Sequence, residues 1–500
     1  MPTATRTAPA ASAPARVADR RRLPGPDWLW AALLTLAVTT FRAGTPQLWR
    51  DELASWNAAS RSTGELSALL QHVDAVSGLY YFLLHFWISA FGDSPAMLRL
   101  PSALAMAGSA ALVVLIARSL FDRRTAVFAG LVFALLPAVT RFGTEARSYA
   151  FVVLTVTAAT WLLLRVLERP AVWRWAGYAA LVAVSGLLHM VSLLVLLPHA
   201  IITAMRWWHG RRTRTALSFV AAAAVGLLPV VPLVLLGQRQ VGRQISWITT
   251  PHMRDISGLW ESLFASPLVA LAVAALALLP LGWPRGRRPT VELMLLGAVP
   301  IAACFLASQG SSAYFVDRYL LFTLPAWAIL AAAGLAALRP RAVGAAGLAV
   351  LVLLGAPDQR QLRTEQAKET SDGAGAARVI VQGYRPGDGF VPVRGKEERV
   401  FMIDYQIGYH LPDRVRPRDV FTQRTAVASE DLFPVECRQP ERCLGETRRI
   451  WLVTRATDDD HGDPYNKLPA AQTQALKKHY RIARTTEVRG LHVSLLERVK

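Results

Sequence analysis

The fold is decided by residues 149–167, which read YAFVVLTVTAATWLLLRVL. This run is apolar over almost its whole length, and it matches the roughly 20 residues that an α-helix needs to cross the hydrocarbon core of a bilayer. A basic loop, Arg165 through Arg174, comes next and leads into another apolar run. Because lipid offers no hydrogen-bond partner to the backbone, such a run predicts a membrane-spanning helix.

Apolar runs of this kind recur up to residue 357 and then stop. The chain is 53% hydrophobic with a mean hydropathy of +0.30. The runs cover residues 27–43, 96–117, 125–140, 149–167, 175–188, 190–206, 215–237, 266–283, 290–307, 319–338 and 343–357. With the N-terminus inside, the Arg-rich loops between them all fall on the cytoplasmic side, as the positive-inside rule expects. The sequence predicts a polytopic α-helical protein with eleven spans in the plasma membrane.

The first outer loop, residues 44–95, is predicted to be structured. Its segment 78–91 reads GLYYFLLHFWISAF, which is short for a span but rich in the aromatic residues that suit a membrane interface. We therefore expect a juxtamembrane helix there, and a second one over residues 52–70. Residues 1–26, rich in Ala, Pro and Thr, predict a disordered cytoplasmic tail.

The net charge of +20 is carried mainly by the short loops between spans. A nucleic-acid-binding protein would instead concentrate basic residues on a soluble face, so we expect no nucleic-acid partner. The chain is rich in Ala and Arg and has no lysine before Lys368, a composition typical of a GC-rich, actinobacterial-like genome.

The polar C-terminal part is predicted to be a separate domain. Residues 358–377 suggest a linker, and residues 378–500 a soluble α/β domain with strands at 388–393, 449–454 and 492–497 and a helix at 469–480. An odd number of spans places this domain outside the cell. Cys437 and Cys443 could then form a disulfide, although two free thiols would leave the same sequence.

The candidates for chemistry are charged residues beside the spans, since charges at bilayer depth cost about 2.5–3.5 kcal/mol each and usually mark function. Asp51 and Glu52 follow the first span, and two adjacent carboxylates suit a general base or a metal site. They suit a helix N-terminus equally well. Asp74, just before the juxtamembrane helix, has the same two interpretations.

A second group of candidates follows the third span. Glu145 and Tyr149 would share one face of a helix. Arg147 could bind a phosphate group with two hydrogen bonds. The alternative is an internal ion pair between Glu145 and Arg147 that anchors the loop.

Further candidates lie before the tenth span and in the turn between the fifth and sixth. Arg318 is a second potential phosphate ligand, with Tyr319 beside it; the alternative is an interfacial arginine next to a tyrosine of the aromatic belt. His189 lies in a tight outer turn, where a lone histidine is more often structural.

Taken in order, these motifs resemble the GT-C superfamily of integral-membrane glycosyltransferases. The resemblance is to the family-39-type group that includes protein O-mannosyltransferases and lipid A aminoarabinose transferases. The matching pieces are Trp49-Arg-Asp51-Glu52, Gly78-Leu-Tyr80-Tyr81, the segment 98–104 (LRLPSAL), the segment 118–124 (RSLFDRR), Glu145-Ala-Arg147-Ser-Tyr149, and Asp317-Arg318-Tyr319. The resemblance covers about residues 27–340.

The resemblance implies a GT-C fold and an inverting transfer of a sugar, with mannose suggested, from a polyprenyl-phosphate donor. Asp51 would be the catalytic base with Glu52 in support, while Arg147 and Arg318 would steady the leaving phosphate. The acceptor would be a cell-wall glycan, a lipid or a protein on the outer face. Where many family members have His-Pro-Pro-Leu-Tyr, this chain has Asp74 four residues before Gly78-Leu-Tyr80, so Asp74 and Tyr80 join the expected substrate-binding residues.

Two functions of other classes are also compatible with the sequence. A transporter or lipid flippase would favour broken helices and charges at mid-membrane, whereas the charges here lie at span ends. A non-catalytic membrane scaffold would keep its function without the outer carboxylates. No cofactor is required by the expected chemistry; the adjacent acids permit a divalent cation without requiring one.

Overall fold

A computed structural model describes residues 26–245, 247–282, 286–395, 402–456 and 462–499. The predicted N-terminal tail, apart from Pro26, lies outside these residues. Within them, six helices are long and apolar enough to cross a membrane, and two bent helix pairs would raise the number to eight. Four shorter apolar helices accompany them. The architecture agrees with the expectation of a helical membrane domain followed by a sheet-containing domain, and the number of crossings stays a prediction.

The membrane domain consists of seventeen helices in the described part of the chain. They are α1 Leu29–Thr40, α2 Arg50–Ala59, α3 Thr63–His72, α4 Gly78–Phe91, α5 Pro95–Leu120, α6 Arg123–Leu135, α7 Pro137–Gly143, α8 Tyr149–Glu168, α9 Val172–Leu188, α10 Leu196–Gly210, α11 Thr213–Leu227, α12 Val231–Gln244, α13 Asp255–Phe264, α14 Pro267–Leu278, α15 Arg287–Ala307, α16 Leu324–Ala337 and α17 Arg341–Gln361. Each of the eleven predicted apolar runs coincides with one of these helices or with consecutive ones.

The helix breaks have local causes. Pro137 opens α7 and separates it from α6 at an angle of 56°, because proline disfavours the helical conformation of the residue before it. Inside α5, Pro101 has no N–H to donate, and the carbonyl of Met97 instead accepts a hydrogen bond from the Trp87 indole at 2.8 Å. This bond ties α4 to α5. Helix α4, which is predicted to lie at the membrane interface, is thus fixed to the long helix that follows it.

The predicted first outer loop is folded into α2, α3 and α4. Helix α4 matches the helix expected at 78–91, whereas the single helix expected over residues 52–70 is divided into α2 and α3. Ser62 caps α3 in a reciprocal arrangement with Glu65, which satisfies two otherwise orphaned N–H groups. Asp74 then takes a left-handed conformation with φ of 56°, which few residues other than glycine adopt and which Asp tolerates better than most. After this turn, α4 packs against α2 and α3.

Close packing of small residues builds the core of the membrane domain. Almost every side chain of α16 is buried. A Cβ atom added at Gly334 would lie 2.2 Å from the carbonyl oxygen of Leu276, so α14 and α16 approach each other through this glycine. Such contacts are the usual basis of helix association in lipid.

The C-terminal domain contains a five-stranded sheet in the order β2-β1-β5-β7-β6. Its elements are α18 Gly373–Gly383, β1 Gly389–Pro392, α19 Ile403–His410, β2 Arg418–Asp419, β3 Thr422–Arg424, β4 Val435–Glu436, α20 Pro440–Leu444, β5 Arg449–Arg455, α21 Ala470–His479, β6 Tyr480–Val488 and β7 Leu491–Arg498. The three predicted strands correspond to β1, β5 and β7, and the predicted helix to α21. The stretch proposed as a linker begins with the last turn of α17 and ends inside α18. Cys437 and Cys443 form a disulfide.

The C-terminal domain packs on the first outer loop. Tyr409 lies edge-on to Trp56 at 5.0 Å between ring centroids and donates a hydrogen bond to the carbonyl of Asp93 at 2.8 Å. Arg61 of the outer loop donates to the carbonyl of Asp431 at 2.6 Å. The outer loop therefore lies between the membrane domain and the C-terminal domain.

Candidate active site

A fully buried ion pair holds the start of the outer loop. Glu52 and Arg99 have no exposed side-chain area. Arg99 donates to both carboxylate oxygens, from Nε to Oε1 at 2.8 Å and from Nη2 to Oε2 at 2.7 Å. This two-pronged geometry is the strongest that arginine makes with a carboxylate. It fixes α2 against α5.

Arg99 also donates hydrogen bonds to the backbone carbonyls of the segment that leads into α2. Its Nη1 donates to the carbonyls of Ala43 at 2.7 Å and Pro46 at 2.8 Å, and its Nη2 donates to that of Gln47 at 3.2 Å. The interpretation of Glu52 as a catalytic group therefore needs correction. Its carboxylate is sealed from solvent and bound on both oxygens, so it positions the loop and has no access to a substrate.

Lys368 enters the same buried cluster from the segment between α17 and α18. Its side chain is 6% exposed, and Nζ donates to the carbonyl of Thr144 and lies 3.8 Å from Glu52 Oε1. Burial lowers the pKa of Lys368 to about 8, with the charge of Glu52 opposing the shift. The C-terminal segment thus contributes a cation to the site, which the sequence did not lead us to expect.

The loop between α7 and α8 is held by three hydrogen bonds at Glu145 and Ala146. Ser102 of α5 donates to the carbonyl of Glu145 at 2.6 Å, and the N–H of Ala146 donates to Glu52 Oε1 at 3.0 Å. The carbonyl of Glu145 also accepts from the N–H of Arg147 at 2.9 Å. These bonds fix the loop backbone, and they thereby fix the position from which the Arg147 side chain extends.

Arg147 turns toward α2 and α4. Its Nη1 contacts Tyr81 Oη at 3.1 Å and Ser55 Oγ at 3.4 Å, and Tyr81 donates in turn to Asp74 Oδ2 at 2.6 Å. Burial acts to lower the pKa of Arg147, but Tyr81 and Tyr149, and after them Asp51 and Asp74, outweigh burial and raise it. The alternative interpretation, an internal ion pair between Arg147 and Glu145, is not what the structure shows; Arg147 makes these contacts instead.

Asp51 lies on α2, on the side of this helix that Arg147 contacts through Ser55. Ser55, one turn later on the same helix face, donates to the Asp51 carbonyl at 3.1 Å and is itself contacted by Arg147. The Asp51 side chain keeps about 19% of its area exposed, and Arg50 Nε is 3.7 Å from its Oδ1. Asp51, unlike Glu52, is open to a ligand.

Aromatic rings form a second wall of the site. His189 lies 4.3 Å from the ring of Tyr319 and 5.9 Å from that of Tyr149, measured between centroids. Arg318 packs over Trp247 at 5.2 Å and over Tyr319 at 5.6 Å. Such packing holds a guanidinium group in place. Two buried nitrogen atoms, His189 Nδ1 and Arg318 Nε, have no hydrogen-bond partner among the described residues.

The charges of Asp51 and Arg318 act on each other. Burial alone would lower the pKa of Arg318, but nearby groups that include Tyr149 and Asp51 raise it above its usual value. Asp51 therefore lies within electrostatic reach of both Arg147 and Arg318. This places one accessible carboxylate and two guanidinium groups in the same part of the fold; their role in binding or catalysis stays a prediction.

Two other predicted residues lie deeper in the fold. Tyr80 is 1% exposed and packs on Phe151 at 5.9 Å between centroids, which makes it part of the core behind the site rather than a surface contact. Glu145 is buried, and its Oε1 has no hydrogen-bond partner in the described part of the chain. Burial raises the pKa of Glu145, and Lys368 opposes this shift. Glu145 lines a cavity of about 440 Å³ together with Trp49, Arg141 and Lys368.

The adjacent acids do not fit a divalent-cation site. Both Glu52 oxygens are engaged by Arg99, which leaves Asp51 alone to offer a ligand, whereas hard cations take several oxygen atoms. Across the described residues, no three His, Cys, Asp or Glu side chains are grouped as metal ligands would be.

The sequence analysis missed Arg99, Ser102 and Lys368 as site residues. Arg99 and Ser102 lie within the segment 98–104 that carried part of the resemblance, so that motif already contained the signal. Lys368 is the first lysine of the chain, but nothing in its neighbourhood indicates a contact with a loop more than 200 residues earlier.

Comparison with known proteins places this geometry in context. Residues 77–235 match the family described as dolichyl-phosphate-mannose-protein mannosyltransferase. The structure is similar to ArnT from Cupriavidus metallidurans bound to undecaprenyl phosphate, with a TM-score of 0.61 and 15% identity over 94% of this chain and 98% of that one. The apo state of the same protein gives 0.58 and 16% identity over 93% and 97%. Curated protein sequences give no significant match. At these identities the similarity shows a shared fold.

Proposed function

We propose that this chain, which has the GT-C fold of integral-membrane glycosyltransferases, transfers a sugar from a polyprenyl-phosphate donor to an acceptor outside the plasma membrane. The observation that carries the proposal is the pairing of an accessible carboxylate, Asp51, with two immobilised arginines, Arg147 and Arg318. An acceptor hydroxyl needs a base, and a departing phosphate needs positive charge. The site offers both.

In the proposed reaction Asp51 takes the proton of the acceptor hydroxyl. The acceptor oxygen then forms a bond with the anomeric carbon of the sugar on the face opposite the phosphate, so the configuration is inverted. The bond between that carbon and the phosphate oxygen breaks, and its electron pair leaves with the polyprenyl phosphate. Glu52 takes no part in these bond changes; through Arg99 it holds α2, and hence Asp51, in place.

The proposed role of the arginines is to stabilise the charge of the leaving phosphate. Arg147 is held by Tyr81 and Ser55, and Arg318 by its packing over Trp247 and Tyr319. Donors that are fixed before the reaction need no reorganisation when the charge develops. Undecaprenyl phosphate, the lipid bound to ArnT, is the kind of carrier we expect here.

We further propose mannose as the sugar, which the family description supports, and a cell-wall glycan, a lipid or a protein as the acceptor. The site would face outward, with the N-terminus in the cytoplasm and the C-terminal domain outside. The disulfide between Cys437 and Cys443 supports this orientation, because disulfides persist in oxidising compartments.

The test is sugar transfer in membranes that contain the protein. Radiolabelled polyprenyl-phosphate mannose and, in parallel, other polyprenyl-phosphate sugars are supplied to the native protein and to Asp51→Asn at equal expression. We expect transfer of label by the native protein and a loss of at least about 100-fold in Asp51→Asn, the usual scale of a general base. Asp255→Asn, a change at the exposed first residue of α13, serves as the matched control and should leave transfer unchanged.

A binding measurement separates a wrong sugar from a wrong function. Undecaprenyl phosphate should bind the purified protein whichever sugar is used, and Arg147→Gln and Arg318→Gln should each weaken this binding. Transfer that survives in Asp51→Asn would refute the role of Asp51. Binding and bilayer translocation of the lipid without transfer of any sugar would favour the transporter or flippase function instead.

A further inference from the structure

A cavity of about 580 Å³ lies at the other end of the membrane domain from the site. Helix α8 connects the two, because Tyr149 at its start faces the site and Glu168 at its end lines the cavity. Its 20 residues correspond to about 30 Å, the thickness of a bilayer core. The cavity therefore belongs to the opposite membrane face and is independent of the proposed glycosyl transfer.

Basic side chains dominate the rim of this cavity. Arg206, Arg212 and Arg288 line it together with His209, against the carboxylates of Glu168 and Glu292. Glu292 is buried and is engaged by both Arg206 and Arg288, with contacts of 2.8 and 3.1 Å. The pairing fixes the two arginines side by side while each keeps further N–H groups. Arg212 is exposed and adds a third cation.

An unpartnered hydroxyl points to a ligand in the cavity. Thr203 lines it, is 4% exposed, and its Oγ1 has no hydrogen-bond partner among the described residues. A buried hydroxyl in this state costs stability unless something binds it. A phosphate oxygen would accept its hydrogen bond.

The surroundings of the cavity fit a lipid rather than a soluble anion. Leu120 and Leu167 supply apolar lining next to the cations. Trp207 also lines it, and its neighbour Trp208 is 65% exposed with Arg211 packed 4.8 Å over its ring. Tryptophan and arginine in this arrangement are typical of the membrane interface. Basic pockets between helices at that depth are the usual sites for anionic head groups.

We propose that this cavity binds the phosphate head group of an anionic membrane lipid. The phosphate lies between Arg206, Arg212 and Arg288 and accepts a hydrogen bond from Thr203, while the acyl chains leave past Leu120 and Leu167. The site gives the protein a specific requirement for anionic lipid on the face opposite the active site.

The test is lipid binding to the purified full-length protein in mild detergent, followed by native mass spectrometry and by thermal unfolding. Phosphatidylglycerol and cardiolipin should bind and raise the unfolding temperature, whereas phosphatidylcholine should not. The double variant Arg212→Gln/Arg288→Gln should weaken phosphatidylglycerol binding by about tenfold or more, since it removes charge-assisted hydrogen bonds. Arg169→Gln, an exposed cation that does not line the cavity, should bind as the native protein does.

The variant Thr203→Val keeps the shape of the side chain and removes the hydroxyl. We expect weaker phosphatidylglycerol binding with an unchanged or higher unfolding temperature in the absence of lipid. Equal binding of phosphatidylcholine, unchanged binding in the double variant, or stabilisation by millimolar inorganic phosphate to the same extent as by lipid would each overturn the proposal.

Discussion

Replacing Glu52 with glutamine tests whether a buried ion pair holds the outer loop. The change leaves the Arg99 guanidinium group buried without its counter-charge. In the native protein, burial raises the pKa of Glu52, but Arg99, Lys368 and the hydrogen bonds lower it from 4.5 to about 2. This difference corresponds to about 3 kcal/mol, at about 1.4 kcal/mol for each pKa unit. Removing one partner of a buried pair typically costs about 3–5 kcal/mol. We therefore expect Glu52→Gln to lower the free energy of unfolding by about 3 kcal/mol.

The pH dependence gives a second signature of the same pair. Because the folded pKa of Glu52 is below the unfolded one, its contribution is fully present above about pH 4.5 and is lost as the pH falls to about 2. Glu52→Gln has no ionisable group at this position. Between pH 4.5 and pH 2, the free energy of unfolding of the native protein should therefore fall by about 3 kcal/mol more than that of Glu52→Gln.

The measurement is equilibrium unfolding in mixed micelles, followed by tryptophan fluorescence. Glu446→Gln, a change at an exposed carboxylate of the C-terminal domain, is the control and should have little effect. The double variant Glu52→Leu/Arg99→Met should recover only part of the loss, because the backbone carbonyls bound by Arg99 lose their donor. A Glu52→Gln protein within about 1 kcal/mol of the native one, with the same acid profile, would refute the reasoning.

Three further predictions concern other parts of the site and domain. In the native protein, the free energy of unfolding should rise between about pH 8 and 10.5, because the lowered pKa of Lys368 means that the unfolded chain binds the proton more tightly in that range. Lys368→Met should abolish this rise. If the lysine were solvated, unfolding measured against pH would show no difference between the two proteins. Tyr81→Phe removes the hydroxyl between Arg147 and Asp74. It should lower the free energy of unfolding by about 1–3 kcal/mol and weaken the binding of undecaprenyl phosphate. If the variant bound this lipid as tightly as the native protein does, a role for the contact would be excluded. Replacing both Cys437 and Cys443 with serine should destabilise the C-terminal domain by about 2 kcal/mol, the amount expected for such a short loop. Limited proteolysis and unfolding measure this loss. Resistance to proteolysis equal to that of the native protein would contradict the prediction.

The sequence was sufficient for features that depend on local pattern. Apolar runs located the helices, and the aromatic segment 78–91 forms a helix, α4, as predicted. Its position at the membrane surface stays a prediction. Alternation of apolar residues and turn signals found β1, β5 and β7. Strand β6 was not predicted because six of its nine residues are exposed, so it lacks the buried face that such patterns detect.

Contacts between distant segments were beyond the sequence. The residues alone identified Asp51 and Glu52 as a pair, and the resemblance assigned the catalytic base to Asp51. Neither showed which carboxylate is sealed from solvent, because that depends on the position of Arg99. The left-handed conformation of Asp74 and its bond with Tyr81 depend in the same way on the path of the loop. Arg147 was expected near a phosphate or near Glu145, and the choice required the position of α4.

The contact made by Lys368 has a consequence for the order in which the protein is made. Its partner, the carbonyl of Thr144, is synthesised 224 residues earlier. All the later spans must therefore be inserted before this loop acquires its last buried cation. A chain that ends after α17 would have every helix of the membrane domain and still lack the charge balance around Glu52. The C-terminal segment thus contributes to the candidate site, and a version of the protein trimmed to its membrane helices would lack the Lys368 cation there.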